Sequence, residues 1–117
     1  MEKYKAALDN LGTLKSSFDK AATGARHSWS AGKKKDAGLY EGLSQKMDAA
    51  ANLLKAGDGQ NAMVKLDETE TALGIKQSEH IEAYNASWYG KEKKNIKAVS
   101  HYRTEVLRIK ELIQHPA

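Results

Sequence analysis

The chain has 117 residues, 40% hydrophobic and 29% charged, a balance that suits one folded domain over 1–117 and argues against disorder. The absence of cysteine excludes a disulfide scaffold, a zinc–thiolate site and a thiol nucleophile. A net charge of +4 suits phosphates or acidic protein surfaces, but it is no larger than solubility alone requires.

Residue choice points to helix. There are seventeen Ala and eleven Leu against three Val, and the one proline is Pro116. Good helix formers therefore dominate, and nothing before Pro116 interrupts helical hydrogen bonding. The expected fold is all-α, a small bundle of four to five helices with a central antiparallel hairpin over 39–73. Met1 to Lys5 is charged and lacks the apolar core of a signal peptide. The densest apolar stretch, Ala49 to Leu54, is far too short to span a bilayer. A cytoplasmic protein with no membrane partner is expected.

Tyr4, Ala7, Leu8, Leu11, Leu14, Phe18 and Ala21 recur at steps of three and four, which predicts a helix over about 2–22. Gly24, Gly32 and Gly38 punctuate the next stretch around Lys33-Lys34-Lys35, so 23–38 reads as a loop with at most one short turn. Tyr40, Leu43, Met47, Ala50, Leu53 and Leu54 make the next stripe, and Gly57-Asp58-Gly59 ends it. Asp58 or Asn61 can cap a short helix carrying Ala62, Met63, Leu66, Thr69 and Leu73, closed by Gly74-Ile75. Leu43, Met47, Leu54, Leu66 and Leu73 should meet in one core. Ser78 can cap a last apolar stripe that runs from Ile81, Tyr84 and Trp88 to Ile96, Val99, Val106, Ile109 and Ile113. A break near Gly90 is expected in it.

Catalytic and cofactor signals are absent. A di-iron bundle needs Glu-x-x-His motifs, but Gly24, Gln77, Ala98 and Leu112 stand three residues before the four histidines. His101 and Glu105 share a helix face, yet two ligands are too few for a metal. Gly32-Lys33-Lys34 lacks both the Ser/Thr and the earlier Gly of a phosphate loop. Asp67-Glu68-Thr69-Glu70 reads as a solvated face. The expectation is no enzyme and no cofactor.

The segment Trp88-Tyr89-Gly90-Lys91-Glu92-Lys93-Lys94 combines aromatic and basic residues. Rings can stack on bases while lysines follow phosphates. Trp88 falls on the apolar stripe and is expected in the core. Tyr89, Lys91, Lys93, Lys94, Lys97 and Arg108 are the candidate partner-binding residues. Glu92, Glu105 and Glu111 interrupt that surface, so any nucleic-acid binding should be weak and non-specific.

Ala25-Arg26-His27-Ser28 before the hairpin resembles a histidine phosphotransfer domain. The resemblance implies an exposed His27 that carries phosphate on a four-helix bundle. That family has Lys three residues after its His and Gly just beyond, where this chain has Ser30 and Ala31. The hairpin flanked by Trp29 and Trp88 is similar to the C-terminal helical domain of COPII coat and steroid-receptor-RNA-activator proteins, but the spacing to Trp88 is too long. Trp88-Tyr89-Gly90 is similar to the turn of the small WXG secreted proteins, but it comes too late in the chain. The leading expectation is a non-enzymatic bundle that binds another protein, as adaptor, inhibitor or small subunit. Nucleic-acid binding through the basic C-terminal helix comes second, and histidine phosphotransfer third.

Overall fold

A computed structural model describes residues 2–28, 31–87 and 90–116. Among the described residues a 3-10 turn at Glu2–Tyr4 is followed by four helices: α1 (Lys5–Arg26), α2 (Ala31–Lys55), α3 (Gly59–Ser87) and α4 (Gly90–Gln114). There is no strand among the described residues. The four helices form a bundle measuring 48 × 24 × 17 Å.

Each helix turns one apolar stripe inward, and the stripes are spaced as a 3.6-residue repeat demands. In α1 the buried positions are Ala7, Leu11, Leu14, Phe18 and Ala22. In α3 they are Ala62, Leu66, Thr69 and Leu73, and in α4 Val99, Val106, Ile109 and Ile113. Leu43, Met47, Leu54, Leu66 and Leu73 are all buried in one cluster, as the spacing predicts. Neighbouring helices are tied by polar pairs that fix which residues face each other. Between α1 and α2 these are Asp19 with Ser44 and Arg26 with Glu41. Between α2 and α3 they are Lys46 with Glu68 and Asp36 with Lys76. Between α3 and α4 they are Lys110 with Glu70 and His80 with Glu92. At each interface the numbers rise along one helix as they fall along the next.

The turn from α2 to α3 is written in the sequence. Gly57 adopts φ +82°, a conformation that costs an L side chain about 1–2 kcal/mol. With Gly57 so placed, the Asp58 N–H donates to Leu53 O (2.8 Å) and the Gly57 N–H to Leu54 O (3.0 Å). This pair of hydrogen bonds satisfies carbonyls that a helix end would otherwise orphan. Asp58 then caps α3, its carboxylate accepting from the Asn61 N–H at 3.1 Å.

Three expectations need correction. The stretch 23–38 is not a loop: α1 continues to Arg26, and α2 starts at Ala31 and contains Lys33-Lys34-Lys35. A helical glycine costs only about 1 kcal/mol, and burial of Ala37 and Tyr40 offsets Gly38. The helix over Leu66 and Leu73 does not end at Gly74-Ile75: α3 runs through Gly74 and Ser78 to Ser87. Its inward stripe continues past Leu73 as Gln77 and His80, polar residues that a hydrophobic pattern cannot follow. Ile81 and Tyr84 do not face the core but are exposed. The expected break is present, since α3 ends at Ser87 and α4 begins at Gly90. Trp88 lies outside the described residues.

Candidate functional site

The core changes character along the bundle. A cluster of three rings closes its apolar part: Phe18 of α1, Tyr40 of α2 and Tyr102 of α4. Their centroids lie 5.2 Å (Phe18–Tyr102), 5.9 Å (Tyr40–Tyr102) and 6.0 Å (Phe18–Tyr40) apart. Beyond this layer the positions facing the interior are small or polar. On α1 they are Ala21, Gly24 and Ala25. On α3 they include Lys76, His80 and Ala83, and on α4 Glu92, Asn95 and Ala98. Small side chains leave a void where large ones would interdigitate. The result is an open cleft of about 770 Å³ that reaches all four helices, floored by Tyr40 and Tyr102.

Two part-buried polar pairs stand in the cleft. Lys76 Nζ lies 2.5 Å from Asp36 Oδ1 and 3.3 Å from Glu79 Oε2. Burial opposes the charge on Lys76, but the Asp36 and Glu79 carboxylates outweigh it and raise its pKa above the usual lysine value. His80 Nδ1 lies 2.8 Å from Glu92 Oε2, and Asn95 Nδ2 donates to the same oxygen at 3.4 Å. Burial raises both phenols, and Tyr40 is lifted further by the nearby Tyr102 and Asp36. Just outside the cleft, Arg103 donates to Gln77 Oε1 at 2.6 Å and Gln77 to Ser100 Oγ at 2.5 Å, a polar ladder holding α3 to α4.

The sequence-derived partner residues fall elsewhere. Lys93, Lys94, Lys97 and Arg108 are exposed on α4, with His101 and Thr104 continuing the row between Lys97 and Arg108. Ile96 is half-buried and Val99, Val106, Ile109 and Ile113 are buried, as the helical numbering predicts. Glu92 leaves the basic row by turning to His80, whereas Glu105 stays beside Arg108 at 3.9 Å. Lys91 belongs to the first turn of α4. Tyr89 lies outside the described residues. His27 is exposed and caps the C-terminus of α1 rather than standing mid-helix. No group of three or more His, Asp or Glu is placed to hold a metal ion among the described residues.

The cleft residues escaped the sequence reading for a physical reason. Asp36 and Lys76 are forty residues apart, and the tie between them exists only once α2 and α3 pack. The available signal was the switch from apolar to polar residues at unbroken helical spacing, as in Leu73, Gln77 and His80.

The chain matches no family model, no curated protein and no solved structure. No helix of the described residues is long and apolar enough to cross a membrane.

Proposed function

We propose that this protein is a non-enzymatic helical bundle that acts in the cytoplasm by binding another protein, as an adaptor, an inhibitor or a small subunit. The antiparallel pairing of 39–73 serves in this reading as the rigid centre of the bundle. The observation that carries the proposal is the far part of α3. Ile81 and Tyr84, three residues apart and so on one helix face, stand 43% and 38% exposed. Scattered apolar side chains are ordinary on a surface, but two large neighbours on one helix face support a partner contact. Burying apolar surface stabilises by roughly 25 cal/mol per Å², and aromatic residues are enriched where proteins meet. The test is affinity purification of the tagged chain from its native host, with nuclease treatment, beside an Ile81→Glu/Tyr84→Glu variant. A protein partner that survives nuclease and is lost with the variant supports the proposal. A partner lost to nuclease, or retained equally by the variant, counts against it.

Nucleic-acid binding is the second reading, favoured by one observation. Lys93, Lys94 and Lys97 are exposed within five residues, and the acid beside them, Glu92, turns to His80. Phosphotransfer through His27 ranks third, because that chemistry expects its histidine within a helix.

A further inference from the structure

We propose that two copies of this chain associate as a weak dimer, with the outer ridge of α3 laid antiparallel against the same ridge of the other copy. This face is separate from the Ile81 and Tyr84 contact above, and it is the charge pattern along it that selects a second copy as its occupant.

The ridge follows from helical spacing. Asn61, Val64, Glu68, Thr71, Ile75 and Ser78 recur at alternating steps of three and four, so they line one side of α3. All six are exposed, while Ala62, Leu66, Thr69 and Leu73 face the core from the other side. Val64 is 46% and Ile75 61% exposed, about three turns apart on the ridge. Beside Ile75 the surface dips into a shallow groove of about 410 Å³ between α2 and α3, lined by Leu39 and Ala72. Ile75 therefore belongs to an apolar patch and does not stand alone.

The ridge is complementary to itself. Val64 and Ile75 lie at equal distances from the middle of the Glu68–Thr71 step. A two-fold axis through that point puts Val64 of each copy against Ile75 of the other. It also sets each Glu68 against Thr71 of the other copy, whose hydroxyl can donate to the carboxylate, so the two Glu68 groups do not meet. The flanking charges agree with this register. Lys65 adjoins Val64, and Glu79 lies one turn beyond Ile75, so each apolar contact brings Lys65 of one copy towards Glu79 of the other. Both ends are available to share: Lys65 is 3.8 Å from Glu68, and Glu79 is 3.3 Å from Lys76 with 58% of its side chain exposed. A parallel arrangement would oppose Lys65 to Lys65 and Glu79 to Glu79, and like charges in contact are unfavourable. Self-complementarity of this kind is what a two-fold interface requires.

The size of the face sets the strength. From Asn61 to Ser78 the ridge is about 27 Å long at 1.5 Å per residue, and with the adjoining α2 it is about 20 Å wide. That is roughly 500–600 Å² per copy, short of the 800 Å² or so of a standard stable interface. The dimer should be reversible, with a Kd of about 10–500 µM.

Sedimentation equilibrium of the full chain from about 10 µM to about 1 mM tests this range. A reversible monomer–dimer equilibrium is expected. Val64→Glu and Ile75→Glu should each weaken it about tenfold or more, because each places a charge in the desolvated contact. Lys65→Glu or Glu79→Lys alone should weaken it several-fold, whereas the two together should restore it, since they exchange the charges and keep the register. The Ile81→Glu/Tyr84→Glu variant should dimerise as the natural chain does. Circular dichroism checks each variant for helix content, and Val64→Ala and Ile75→Ala replace the Glu variants if those do not fold. A chain that stays monomeric up to about 1 mM overturns the proposal. A dimer indifferent to the Val64 and Ile75 variants, or lost in the Ile81/Tyr84 variant, overturns it too. So does a single charge change that the double exchange fails to rescue. If the chain is monomeric and a different protein is held through Ile75, the ridge belongs to that protein and the dimer is overturned.

Discussion

Lys76 of α3 reaches across to Asp36 of α2 and places its ammonium 2.5 Å from the carboxylate, with the two side chains only 16% and 18% exposed. Few of the ion pairs in the bundle are so withdrawn from water, and withdrawal decides how much such a pair matters. An exposed pair contributes little, but breaking a buried one leaves an uncompensated charge. Lys76→Ala or Asp36→Ala should each destabilise the protein by about 1–3 kcal/mol in urea melts. The double variant should cost less than the sum of the two. Glu68→Ala removes the exposed pair with Lys46 and should cost under about 1 kcal/mol. Equal effects at the two sites would show that burial does not set the strength of these pairs.

Leu54 and Leu66 are buried on α2 and α3 in the shared cluster. Truncating either to Ala removes buried methyl groups and leaves a cavity, at a cost of about 2–5 kcal/mol. Denaturant midpoints should drop accordingly, with the slope unchanged. Losses below about 0.5 kcal/mol for both would mean that the two helices do not pack as described.

Gly57→Ala places a Cβ on a backbone at φ +82° and should cost about 1–2 kcal/mol. Gly12→Ala, in an exposed helical position with nothing within 4 Å, should instead stabilise by up to about 1 kcal/mol. The opposite signs separate a conformational requirement from a mere tolerance, and thermal melts of the two variants read them directly.

Stability should fall at both ends of the pH scale. On the acid side, the Ser44 hydroxyl and then Lys15 lower Asp19, Asn61 lowers Asp58, and Lys46 lowers Glu68. The unfolded chain protonates these groups first, near 3.8 for Asp and 4.5 for Glu. Their contribution is therefore complete above those values and lost as pH falls through the lower folded ones. On the alkaline side, burial raises Tyr40 and Tyr102, so the unfolded chain loses phenolic protons first, from about pH 10.0. Stability then declines as pH rises beyond that point. Phenolate absorbance should show two of the five tyrosines ionising only as the helical signal disappears. Normal titration of all five in the folded state would contradict the burial of this pair.

If α4 binds nucleic acid through Lys93, Lys94 and Lys97, about three phosphates are neutralised. Each adds about 0.7 to 0.9 to the log–log salt slope, so affinity should drop about ten- to twentyfold for a threefold rise in salt. Anisotropy at about 50 and about 150 mM salt measures this. Sub-micromolar affinity at the higher salt, lost on changing Lys93 and Lys97 to Glu, would place nucleic-acid binding ahead of protein binding.

The sequence by itself determined that this protein is helical and most of the side chains that build its apolar core. Leu43, Met47, Leu66, Val99 and Ile109 lie at the spacing that puts them on single helix faces, and spacing is a local property. It also determined the turn over Gly57-Asp58-Gly59 and narrowed the α3 cap to Asp58 or Asn61, because backbone conformation and capping are settled within a few residues. Only the tertiary structure decided whether the helices run through Gly38 and Gly74. A penalty of about 1 kcal/mol per glycine is small beside the packing of a whole helix face. Tertiary structure alone also turned Ile81 and Tyr84 outward while Val99 and Val106 went inward, since an apolar stripe is buried only where another helix lies over it. The cleft belongs wholly to that level. Asp36, Tyr40, Lys76, His80, Glu92 and Tyr102 come from three helices, and the tie between Asp36 and Lys76 exists only because packing closes a gap of forty residues.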